Sequence, residues 1–92
     1  MSLPFLIEDQ AHAEWISEHA TLQEAVAELN RLSTIAWDQP PNQAPCKSWR
    51  TCGRRYEILE YNIATTPWQL IARHAGLEIG AKGVFPIPGT DP

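Results

Sequence analysis

Apolar positions recur along this chain in two rhythms, one helical and one alternating, and a stretch between them follows neither. Leu22, Ala25, Val26, Leu29 and Leu32 fall at i, i+3, i+4 and i+7 spacing, so one stripe of a helix over about 21–33 faces a core. Thr21-Leu22-Gln23-Glu24 is a capping box at its start: the threonine oxygen accepts from the Glu24 amide while the glutamate reaches back. Glu28, three residues before Arg31, adds an ion pair on the outer face. Upstream, LPFLIED at Leu3–Asp9 is rich in strand formers, with Pro4 at a tolerated first position. Residues 9–20 fit two readings. Asp9 to His12 turns the chain into a second strand at Glu14–His19, or Ile7, Ala11, Trp15 and Leu22 continue a longer helix; the hairpin is the preferred reading.

Arg54–Ile63 is a strand whose alternation breaks: Tyr56 and Ile58 face one way, Leu59, Tyr61 and Ile63 the other. Such a strand is buried on both faces or bulged near Leu59. Thr66, Pro67 and Gln69 then punctuate a helix start, Trp68, Ile71, Ala72 and Ala75 mark an apolar face, and Gly76 suits a left-handed cap after Arg73 and His74. These signals predict a short helix over about 67–75. Leu77–Phe85 reads as the last strand, with a turn or bulge at Lys82-Gly83, and Pro86, Pro88 and Pro92 give an extended tail over 86–92. The expected fold class is α+β: a small sheet of three to four strands, the main helix (about 21–33) and the short helix (about 67–75) packed on it, and a long structured loop over 34–53. The last two strands could run parallel through a crossover or antiparallel. The segment HATLQEAVAEL (His19–Leu29) resembles the helix start of small antitoxin and other α+β domains. That resemblance implies a capped helix and assigns no site residue.

Ninety-two residues give a single domain, 1–92, with ordinary globular composition at 43% hydrophobic and 20% charged. A domain of this size is marginally stable alone, which makes a homodimer an expected source of stability. No apolar run approaches the roughly 20 residues that cross a bilayer, so a membrane is not an expected partner. MSLPFLIEDQ lacks the pattern of a secretory signal, which favours a cytoplasmic location and reduced cysteines. The net charge of −4 is unevenly spread. Seven acids against Arg31 alone occupy Met1–Asp38, whereas Lys47, Arg50, Arg54 and Arg55 follow with no acid among them.

Candidate chemistry concentrates in Trp37–Gly53, WDQPPNQAPCKSWRTCG. Cys46 and Cys52 are separated by five residues, wrong for the zinc and redox motifs that want about two, and His12, His19 and His74 are scattered. Neither a metal nor another cofactor is expected, a disulfide conflicts with the cytoplasmic reading, and two reduced packing residues remain the simplest assignment. Basic neighbours would favour a reactive thiol at Cys46 or Cys52, but no sequence signature pairs either with a histidine. Glu24, Glu28, Glu57 and Glu60 read as solvated surface, and neither a phosphate-cradling glycine loop nor a hydrolase motif is present. A non-enzyme is therefore favoured: an interaction module or homodimer whose 37–55 loop presents Trp37, Lys47, Trp49, Arg50, Arg54 and Arg55 to itself or another protein. The alternative is a small regulator binding nucleic acid or another anion through the basic run 47–55. A small cysteine-dependent enzyme is the third reading.

Overall fold

A computed structural model describes residues 3–89 of the chain. Its elements in order are β1 (Phe5–Asp9), β2 (Glu14–His19), α1 (Leu22–Ser33), α2 (Trp49–Cys52), β3 (Arg54–Asn62), β4 (Gln69–Gly80) and β5 (Gly83–Ile87). The five strands form one antiparallel sheet in the order β2-β1-β3-β4-β5. The α+β expectation of a three- to four-stranded sheet carrying two helices is overturned: the architecture is dominated by a five-stranded sheet, with one helix of three turns.

The correction centres on 67–75. Gln69–Gly80 is a twelve-residue strand, laddered to β3 on one side and β5 on the other. The apparent cap residues Thr66, Pro67 and Gln69 are outweighed by backbone pairing with β3 from Gln69 onward, joined by β5 from Gly76, a tertiary term that local propensity does not contain. Gly76, read as a helix cap, instead lies opposite Glu57 in the ladder. The expected last strand is divided accordingly. Leu77–Gly80 finishes β4, Ala81 and Lys82 make a two-residue turn, and Gly83, at φ +129°, opens β5. Pro86 and Ile87 lie in β5 rather than in a tail, and the rest of that expected tail beyond Gly89 is outside the described residues.

Residues 9–20 take the hairpin, β1 pairing β2 with a register shift at Ile7/Glu8. β3 is the central strand, buried from Tyr56 to Leu59, and its register shifts between Glu57 and Leu59 and again between Glu60 and Tyr61. Burial on both faces and bulging therefore occur together. Ile7, Tyr56, Ile58 and Ile79 on one face of the sheet meet Ala25, Leu29 and Leu32 of α1 in the main core. Leu6 and Leu59, one position along, are buried on the other face. That face carries a half-exposed aromatic group in which the Trp15 and Trp68 rings meet edge to face at 6.4 Å and Tyr61 leans on Trp68 at 6.1 Å. Glu57 is buried rather than solvated, with Arg55 3.4 Å and Arg73 4.0 Å from its carboxylate.

α1 is capped as its sequence dictates: Glu24 N donates to Thr21 Oγ1 (3.1 Å) and Ala20 N donates to Glu24 Oε2 (3.2 Å). The 34–48 loop is tied to the end of this helix by Asn42, whose amide donates to the carbonyls of Leu32 (2.8 Å) and Ile35 (2.9 Å). Tyr56 Oη donates to Asn42 Oδ1 at 2.9 Å, fastening the loop to β3. Among the described residues no helix is long and apolar enough to cross a membrane.

Candidate thiol and imidazole site

The site lies where the β1–β2 turn meets the start of β3. Asp9 ends β1, and its Oδ1 accepts from Ala11 N (3.0 Å), an Asx turn that folds residues 10–13 back over the strand end. Ala13 completes the reversal at φ +51°. His12 is thereby carried onto Asp9, donating from Nδ1 to Oδ2 at 2.6 Å. The carboxylate is fully buried and held from two further sides, by Arg55 N (3.1 Å) on Oδ1 and Arg54 Nη1 (3.0 Å) on Oδ2. A carboxylate fixed by four hydrogen bonds has little freedom, so the imidazole it accepts from is fixed as well.

On the other side of His12 stands Cys52, the last residue of α2, with Sγ 3.1 Å from Nε2. Gly53 follows at φ +77°, turning the chain from α2 into β3. A Cβ there would lie 2.9 Å from the Ile79 carbonyl oxygen, so glycine alone allows both this backbone and this approach to β4. Cys46 reaches the same point from the loop: its sulfur is bonded to that of Cys52, their Cα atoms 6.9 Å apart. The two cysteines are therefore paired rather than separate reduced packing residues. The ligating atoms of His12, Cys46 and Cys52 lie within 4.8 Å of one another.

An imidazole that donates Nδ1–H to a buried carboxylate presents the lone pair of Nε2 to its other neighbour. Asp9, His12 and Cys52 thus stand in the order carboxylate, imidazole, sulfur, an arrangement in which an imidazole oriented by a third group would face a thiol once the Cys46–Cys52 bond is reduced. Cys52 is exposed and lines an open groove of about 610 Å³, together with Ala11, Arg50, Arg55, Lys82 and Phe85. Cys46 is partly buried and is not part of the groove wall.

The basic run is divided by the fold. Arg54 is 8% exposed and turned inward, bonding Asp9, Glu14 Oε1 (2.7 Å) and the Gln43 carbonyl (3.1 Å). Burial works against its charge, but the bonds to Glu14 and Asp9 and the proximity of Tyr56 outweigh it, holding its pKa above the ordinary arginine value. Its Nε is buried with no partner among the described residues. Arg55 bridges Glu57 and Glu78, the latter at 2.7 Å. Lys47 and Arg50 are exposed, and Trp37 packs half-buried against the core. The side chain of Trp49 lies outside what the structure describes.

Of these site residues, sequence reasoning finds both cysteines and misses Asp9 and His12, which stand 40 or more positions from Cys52. The one local signal was Asp9 and His12 three apart at a chain reversal, a spacing that lets a carboxylate hold an imidazole within one turn. No known protein family matches the chain, and neither a curated protein nor a solved structure matches it.

Proposed function

We propose that the protein is a small thiol–disulfide exchange protein in which Cys52 is the attacking thiol and Cys46 the resolving one. The observation that carries this reading is the placement of His12 Nε2 3.1 Å from Cys52 Sγ with Asp9 fixed behind it, at a cysteine whose sulfur also reaches Cys46. His12 takes the Cys52 proton as the sulfur attacks one sulfur of a partner disulfide. The new S–S bond forms as the old one breaks, and the expelled thiolate receives the proton from His12. Cys46 then attacks Cys52 in the mixed disulfide, its own proton passing to the second leaving thiolate. The protein ends oxidised at Cys46–Cys52, and the partner ends as two thiols. Exposure favours these roles: Cys52 is exposed on the groove wall where a partner disulfide can reach it, whereas Cys46 is partly buried and lies outside that wall.

The test uses phosphine-reduced protein, a chelator and a chromogenic aromatic disulfide. Wild type is expected to release two equivalents of aromatic thiolate per chain. Cys46→Ser stops at one, with the aromatic group retained on Cys52, and His12→Ala slows the first release by roughly tenfold or more. Equal first-step rates in wild type and His12→Ala, or capture of the aromatic group on Cys46, would sink the proposal.

A further inference from the structure

His12 Nε2, Cys46 Sγ and Cys52 Sγ converge from three separate segments: the β1–β2 turn, the long loop and α2. Thiolate, thiolate and imidazole is the donor set of a borderline-soft cation with tetrahedral preference. Asp9 adds a feature that a chance meeting of ligands lacks. It accepts from Nδ1 at 2.6 Å, so the imidazole is held in the tautomer and orientation that direct Nε2 outward, as the carboxylate partner of a metal-bound histidine does. The Cα atoms of the two cysteines, 6.9 Å apart, leave room for their sulfurs to separate to the roughly 3.8 Å that two Zn–S bonds of about 2.3 Å span across a tetrahedral ion.

We propose that the reduced protein binds one Zn2+-class divalent cation on His12 Nε2, Cys46 Sγ and Cys52 Sγ, with the fourth position open to the groove. The proposal goes beyond thiol exchange and stands without it, since it requires only that the three donors meet. A thiol or phosphine reductant supplies two electrons, and two protons are taken up to convert the Cys46–Cys52 bond to two thiols. The entering cation then displaces those two protons to solvent as both Zn–S bonds form. Metal and disulfide are mutually exclusive occupants of the same sulfurs, so the redox state of the pair decides whether the site exists. A cation seated there blocks both the attacking and the resolving thiol.

The test is a titration of phosphine-reduced, metal-free protein with Co2+ and then Zn2+, with no disulfide substrate present. The expected result is one equivalent of Co2+ bound with a thiolate-to-metal charge-transfer band, displaced stoichiometrically by Zn2+. Oxidised protein should show neither. Cys46→Ser should lose the band's two-thiolate intensity, and His12→Ala should bind at least about tenfold more weakly while its circular dichroism matches wild type. Absence of the band at tenfold molar excess of Co2+, or affinity unchanged in both variants, overturns the proposal. Because exchange is assayed under chelator and metal uptake without substrate, either reading can fail while the other holds.

Discussion

Asn42 is 1% exposed in the middle of a proline-rich loop, and every polar atom of its side chain is used. Its amide donates to the Leu32 carbonyl in the last turn of α1 and to the Ile35 carbonyl just beyond it, and its oxygen receives the Tyr56 hydroxyl, itself fully buried. Asn42→Ala therefore leaves several buried groups without partners, and the expected loss is about 2–4 kcal/mol in a urea unfolding curve. Tyr56→Phe removes one hydroxyl and should cost about 1 kcal/mol near pH 8. Burial, with Arg54 opposing and nearby carboxylates adding, pushes the Tyr56 phenol from 10.0 up to about 12. The folded protein holds that proton more tightly than the unfolded chain, so the contribution is whole below pH 10 and is lost as pH rises from 10 to about 12. The loss is on the order of 2 kcal/mol. Because that loss exceeds the roughly 1 kcal/mol the hydroxyl contributes, wild type should fall below Tyr56→Phe in stability across that window. An advantage that stays constant to pH 12 would contradict the burial argument.

β4 shows how an element can be misread from correctly identified parts. Pro67, Trp68, Ile71 and Gly76 satisfy a helical template, but Gly76 sits in a ladder so close that an added Cβ would collide with the Tyr56 carbonyl oxygen. Gly76→Ala separates the two readings. At a helix cap the change would cost about 1 kcal/mol, whereas in this strand it should cost about 2–3 kcal/mol and disturb β3 as well. Thermal melts with far-ultraviolet circular dichroism check the difference. The first helix was legible because its information is local: Thr21, Glu24 and the stripe ending at Leu32 all act within one element. The partners of β3 were not, because a central strand buried on both faces has no single alternation to read. The same distinction governs the site. Cys46 and Cys52 were visible as a close pair in sequence, while their histidine and its carboxylate arrive only through the antiparallel pairing of β1 with β3, in which Asp9 meets Tyr56.

At the scale of the whole molecule, the disulfide and the sheet share the work of stability. A 92-residue chain with one main core has little margin, and the long loop carries the residues that close its open end. Cys46 and Cys52 span six positions, a short loop whose closure removes enough freedom from the unfolded chain to contribute about 2 kcal/mol at most. Reduction in the presence of chelator should thus lower the melting midpoint by no more than roughly 16 °C without abolishing the transition, because the core of Ile7, Tyr56, Ile58, Leu29 and Leu32 contains neither cysteine. Zn2+ added to the reduced protein should restore part of that loss, since a ligand bound only by the folded state stabilises in proportion to the logarithm of its excess over Kd. The restoration must vanish in Cys46→Ser and in oxidised protein. If Zn2+ raises the midpoint of both as much as that of reduced wild type, it is acting elsewhere on the surface, and the link between redox state, metal and stability is broken.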